Sequence, residues 1–151
     1  MAFNIGEECS GCSACAKLCP VSAITRIDDP EEKNSGNRVV SARYIINEKR
    51  CVECGVCGRI CQKGAITDSS GKVCAPVKRS LWPKPAINKE SCSACSICVH
   101  DCTSGALKIS MPKFRGDIKV SAELANPGKC TGCGICFSHC PLGAIVMEAA
   151  S

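Results

Sequence analysis

Apolar positions in this chain come in short runs set between polar turns, and none is long enough to cross a bilayer. Residues 23–27 and 38–46 are rich in Ile and Val and predict two strands. Between them the polar stretch 28–37, with Pro30 and Gly36, predicts a turn. The second half repeats the pattern, with strands expected over 106–110 and 117–124 around a tip at 112–116 that holds Pro112 and Gly116. The middle differs. Residues 75–85 hold three prolines and three positive charges and predict an extended linker. The expected organisation is a first domain over 1–72, a linker over 73–86 and a second domain over 87–151.

Between the strands lie the cysteines. Cys9, Cys12, Cys15 and Cys19 are separated by two, two and three residues, and so are Cys51, Cys54, Cys57 and Cys61. The spacing recurs at Cys92, Cys95, Cys98 and Cys102, and again at Cys130, Cys133, Cys136 and Cys140. Of 17 cysteines only Cys74 lies outside this pattern. Each fourth cysteine is followed, four and five residues on, by Ala and then Ile or Leu: Ala23-Ile24, Ala65-Ile66, Ala106-Leu107 and Ala144-Ile145. Asn47, Asn88 and Asn126 stand four residues before the later three motifs. Each unit therefore reads as an incoming strand, a cysteine loop, a short helical turn and an outgoing strand. Motifs 1 and 3 share Ser after the first and second cysteines, apart from Gly11 and Ala94 beside them, whereas motifs 2 and 4 share Gly after the second. Val40-Ser41-Ala42 and Val120-Ser121-Ala122 precede motifs 2 and 4. A two-motif unit has been duplicated.

Composition narrows the chemistry. With one Trp, one Tyr and three Phe in 151 residues, the core is thin, and a metal is one of the few available staples. Such a metal is expected to supply folding energy, leaving an apo chain largely unfolded. Residues 1–8 lack the basic and apolar segments of a signal peptide, so a cytoplasmic chain with reduced thiols is expected. A disulfide scaffold gives no reason for four identical spacings. Zinc takes four thiolates from two pairs and would waste the third cysteine of each run. Thiolates are the ligands iron–sulfur clusters select, and this run is the spacing that binds [4Fe–4S] groups. Such a group with its thiolates carries about −2, so four would turn the formal +5 into about −3. Nucleic acid is discounted on that ground. Gly132-Cys133-Gly134 lies inside a cysteine loop, without the strand and helix a nucleotide site needs.

On these motifs the chain resembles bacterial-type polyferredoxins, built from two-cluster ferredoxin domains in tandem. The resemblance implies an α+β fold of short strands, hairpins and short helices around four [4Fe–4S] clusters. It implies all sixteen motif cysteines as iron ligands, with the fourth of each motif completing the cluster of another. Sequential pairing would join Cys9, Cys12 and Cys15 with Cys61, and Cys51, Cys54 and Cys57 with Cys19. It would likewise join Cys92, Cys95 and Cys98 with Cys140, and Cys130, Cys133 and Cys136 with Cys102. The alternative is nested, motif 1 with 4 and motif 2 with 3, as in small subunits of formate dehydrogenase-like enzymes. The Pro that usually follows the fourth cysteine is present at Pro20 and Pro141, but Gln62 and Thr103 replace it in motifs 2 and 3. The function implied is electron transfer without a substrate site of its own. The partner implied is a larger catalytic oxidoreductase subunit, with tungsten or molybdenum, of aldehyde or formate type, and copies could join into an extended wire. A free soluble carrier is the alternative. Trp82 reads as a filler between halves or as an anchor for a partner. His100 and His139 read as loop residues shaping local charge or coupling a proton to a cluster, and Cys74 as a passive thiol.

Overall fold

The computed structural model describes residues 2–27 and 43–149. The expected turn at 28–37, the start of the strand at 38–46 and Val40-Ser41-Ala42 lie outside the described residues. The chain divides into two compact units, Met1–Lys78 and Arg79–Ser151.

The first unit runs β1 (Asn4–Ile5), α1 (Ala14–Leu18), β2 (Ile24–Ile27), β3 (Arg43–Ile46), α2 (Val56–Ile60) and β4 (Ile66–Thr67). The second follows a short 3-10 turn at Arg79–Leu81 with β5 (Lys84–Ile87), α3 (Ile97–His100), β6 (Leu107–Ile109), β7 (Ala122–Leu124), α4 (Ile135–His139) and β8 (Ile145–Glu148). Every described ribbon is an antiparallel pair. The outermost strands of each unit pair with each other, β1 with β4 and β5 with β8, and the inner strands likewise, β2 with β3 and β6 with β7. Their registers set Ile5 opposite Ile66, Ile24 opposite Ile46, Ile87 opposite Ile145 and Leu107 opposite Leu124. This is a small α+β architecture built twice.

Part of the proline-rich middle is structured. Lys84–Ile87 forms β5, and Pro85 is tolerated there because a two-stranded ribbon leaves one edge of each strand unpaired. Ahead of it Trp82 is fully buried, with the Arg79 guanidinium 5.6 Å from its ring centre, so its indole is not displayed as an anchor. The strand expected over 117–124 is shorter than its sequence suggests. The Asp117 carboxylate accepts the Lys113 and Lys119 N–H groups, both at 2.9 Å, and this local turn competes with the ladder. Only Ala122–Leu124 pairs.

Cysteines share both cores with aliphatic side chains. In the first unit Cys15, Ile24, Cys57 and Ile66 are buried together, with Phe3, Tyr44 and Ile60 packed against them. In the second the buried set is Cys98, Leu107, Ala122 and Ile145. Among the described residues each core is small, and the buried thiols are part of it.

Candidate metal centres

Each motif winds by the same backbone device. The residue just before the second cysteine is left-handed: Gly11, Glu53, Ala94 and Gly132, with φ of 70, 52, 54 and 63°. So is the residue just after it: Ser13, Gly55, Ser96 and Gly134, with φ of 61, 71, 66 and 77°. Two such residues curl the chain around the second cysteine, and a helix of four or five residues then begins. The third cysteine sits in its first turn. The chain leaves α1, α2 and α4 extended at Cys19, Cys61 and Cys140.

The repeated alanine explains itself at the next step. The N–H groups of Ala23, Ala65, Ala106 and Ala144 reach Sγ of Cys19, Cys61, Cys102 and Cys140 at 3.2, 3.4, 3.3 and 3.3 Å. The carbonyl of the same residue accepts the N–H of the strand arriving before the partner motif. Asn47 N–H meets Ala23 O at 2.7 Å, Asn88 meets Ala144 at 2.7 Å and Asn126 meets Ala106 at 3.0 Å. Gly6 takes this place before motif 1, meeting Ala65 O at 2.8 Å. All four alanines are buried, so a larger side chain has no room. The Asn47 and Asn88 side chains then turn the backbone into the cysteine loop by accepting the N–H groups of Lys49 and Glu90.

The result is four cavities, each ringed by four cysteines. Cys9, Cys12, Cys15 and Cys61 line one, with Tyr44, Ile60 and Ile66. Cys51, Cys54, Cys57 and Cys19 line the second, with Phe3, Ile46 and Val56. In the second unit Cys92, Cys95, Cys98 and Cys140 line one, with Ile97 and Ala122, and Cys130, Cys133, Cys136 and Cys102 the other, with Pro85 and Met147. Counting their open mouths, three enclose about 340, 320 and 330 Å³, and the one at Cys9 about 840 Å³. Cys12 and Cys95 are exposed, so two of the cavities reach the surface at the second cysteine of a motif.

These residues fit a polynuclear iron–sulfur group. Among the described residues no three His, Cys, Asp or Glu groups converge as the ligands of a single ion would. The thiols instead stand around a space walled by apolar side chains. Burial, with the neighbouring Cys54, pushes the Cys57 thiol up to about 12, and burial with Cys133 does the same at Cys136. Cys15 and Cys98 are also raised, by burial first. Thiolates crowded in such sites need a cationic core between them, as iron supplies. Burial pushes Cys102 up too, but the Ser104 hydroxyl and the N–H groups of Ala106, Leu107 and Ser104 outweigh it and leave the thiol below its ordinary value. Ser104, one residue beyond the Thr103 that stands where Pro is usual, places its hydroxyl 3.4 Å from Cys102 Sγ. A [4Fe–4S] group bound in each cavity would supply reversible one-electron storage.

The other singled-out residues lie outside these rings. Asp101 joins both histidines, at 2.7 Å to His139 Nδ1 and 3.2 Å to His100 Nδ1, and so ties motif 3 to motif 4. Hydrogen bonds from His139, then His100, hold its carboxyl below the usual range. Nothing in the sequence pairs these three residues. Cys74 lines none of the four cavities. It packs on α2 where Gly58 leaves space, since a Cβ there would lie 2.6 Å from Cys74 Cβ and 2.7 Å from its Sγ.

Four rings of thiols on a duplicated α+β unit define a ferredoxin-type iron–sulfur protein. Residues 8–65 match a 4Fe-4S dicluster domain, and residues 91–145 match a second domain of that description. The chain belongs to the dicluster ferredoxins, and its cysteines fit four [4Fe–4S] clusters, the build of a polyferredoxin-type electron-transfer protein. It is 39% identical over 57 residues to an uncharacterized polyferredoxin-like protein of Methanocaldococcus jannaschii, covering 38% of this chain and 34% of that one. It is 36% identical over 68 residues to formate hydrogenlyase subunit 2 of Escherichia coli, covering 44% and 27%. Against one of the subunits of the H(2):CoB-CoM heterodisulfide,ferredoxin reductase of Methanothermobacter marburgensis the identity is 30% over 71 residues, 40% of this chain and 10% of that one. The chain thus spans a tenth to a third of the length of these relatives. A chain of the solved formate dehydrogenase–heterodisulfide reductase–formylmethanofuran dehydrogenase complex of Methanospirillum hungatei is 23% identical over 93% of this chain and 52% of its own, with a TM-score of 0.36, too low to carry a structural argument. No helix among the described residues is long and apolar enough to cross a membrane.

Proposed function

We propose that this chain relays electrons through four [4Fe–4S] clusters within a larger oxidoreductase assembly and has no substrate site of its own. The observation that carries the reading is the make-up of the four rings. Each takes three cysteines from one motif and the fourth from the other motif of the same unit. All sixteen motif cysteines are assigned as iron ligands, in the sequential sets, with the two domains meeting in the proline-rich middle. The strand pairings support that choice over the nested one, because β1 pairs with β4 and β5 with β8 inside the units. Crossed fourth cysteines would hold the two clusters of a unit close together, as a relay needs. Thiolates, N–H groups and apolar walls then hold the charge change in place with little reorganisation.

Relatives that are named subunits of formate hydrogenlyase and heterodisulfide reductase support membership of a complex. The regular four-motif build favours a tungsten or molybdenum enzyme of aldehyde or formate type, with copies able to extend the wire. Purification of the tagged chain from its native cytoplasm, at native salt and without oxygen, tests this. A stable complex with a catalytic oxidoreductase subunit is expected. A chain running as an isolated monomer would make it a free carrier instead.

A further inference from the structure

In the second unit the segment ahead of β5 lies against the cysteine loop of motif 4. The Lys84 ammonium donates to the Cys130 carbonyl at 2.9 Å from a half-buried position. Its neighbours close the same site: Pro85 and Met147, which pair across β5 and β8, both line the cavity of Cys102, Cys130, Cys133 and Cys136. Pro83 lies so near that a Cβ on Gly132 would sit 2.5 Å from its carbonyl oxygen. The backbone therefore fixes where the Lys84 side chain starts, and the hydrogen bond fixes where its charge ends.

We infer that Lys84 is a potential-setting residue that makes the site of Cys102, Cys130, Cys133 and Cys136 easier to reduce. The inference rests on the ligand sets proposed above. Reduction adds one electron to a site that is already negative. A fixed ammonium beside one of its ligands stabilises the more negative state, and in a half-buried place water screens it less than on the surface. Other charges stand nearby. Glu148 is opposite Lys84 on β8 but exposed, and Asp101, next to Cys102, is engaged by His139 and His100. The motif-2 site of the first unit has a different arrangement. There Arg59 Nη2 donates to the Cys54 carbonyl at 3.1 Å, but Glu53 stands in the same loop, at the place Gly132 takes in motif 4. Counting back from the paired isoleucines Ile5 and Ile87, the place of Lys84 falls to Ala2 in the first unit.

The test is an EPR-monitored titration of the full holo chain, with dithionite supplying the electrons, on the wild type and on Lys84→Gln, Lys84→Met and Lys84→Arg. Gln and Met should each move one reduction step to lower potential. The change should be about tenfold in the reduced-to-oxidised ratio at a fixed potential, or about 59 mV for a one-electron couple. Arg, which keeps the charge, should restore the wild-type step. A purely structural lysine would overturn the inference: Gln would titrate like wild type, or Arg would shift as far as Met. Iron and sulfide are counted on the same samples. A wild-type chain holding fewer than four clusters would remove the ligand assignment, and this inference with it, by a different readout.

Discussion

Gly132 and Gly134 flank Cys133 and are both left-handed, at φ of 63 and 77°, yet replacing them by Ala should have unequal consequences. At Gly134 a Cβ meets nothing within 4 Å. The cost there is left-handed strain, about 1–2 kcal/mol for an L-residue, offset by about 0.4–1 kcal/mol because Ala restricts the unfolded chain. A net loss near 1 kcal/mol follows. Motif 3 shows that this backbone tolerates a Cβ, for Ala94 occupies the place of Gly132 at φ 54°. What separates Gly132 is its neighbour. A Cβ would stand 2.5 Å from the Pro83 carbonyl oxygen and 3.0 and 3.1 Å from its ring carbons. Pro83 cannot yield easily, since Trp82 before it is buried and Lys84 after it opens β5. Overpacking against fixed backbone adds about 1–3 kcal/mol, for a total of roughly 2–4 kcal/mol. Thermal loss of the cluster absorbance, followed without oxygen at one scan rate, reads the difference. Gly134→Ala should lower the midpoint by about 4–8 °C, and Gly132→Ala roughly two to four times as far. Equal midpoints for the two variants would refute the assigned contact.

Three further outcomes follow from the same geometry. Cys74→Ala should keep all four clusters by iron and sulfide analysis while costing about 1 kcal/mol of stability in the same melt, because the thiol packs on Gly58 and lines no cavity. Met111, Phe114 and Ile118 are 81, 66 and 90% exposed at the β6–β7 tip, so Ser at any one of them should change stability by no more than about 0.5 kcal/mol. Stripping iron with a chelator under reducing conditions should erase the strand signal in far-UV circular dichroism, because buried thiols are packed into both cores and whatever they hold is part of the packing.

The chemistry was legible because a cluster motif is local. Three cysteines of a motif lie within seven residues, and the spacing alone sets them in one loop. The repeated Ala and Asn were visible as a pattern, but their work was not. It consists of hydrogen bonds that the Asn88 and Gly6 N–H groups donate to the Ala144 and Ala65 carbonyls, across most of a unit. Contacts between distant residues of unlike type left less trace. Lys84 on Cys130, His139 on Asp101 and Cys74 on Gly58 have no spacing to betray them. Nor does the rule that glycine marks left-handed backbone find Glu53, Ala94, Ser13 or Ser96, where the winding of the chain around the second cysteine places residues that disfavour the turn. The middle segment departs from expectation for a related reason. Prolines signal a linker, but Lys84–Ile87 is claimed by β8, which lies some sixty residues on, roughly the length of one small domain.

The central claim is that four rings of cysteines hold four redox-active clusters. Anaerobic reconstitution of the full chain with iron and sulfide, followed by dithionite reduction and spin quantitation by EPR, measures it directly. The account predicts four [4Fe–4S] equivalents per chain, reversibly reduced at low potential, and the loss of one when Cys61 or Cys19 becomes Ser. A chain that binds metal but develops no reversible reduced signal would contradict it.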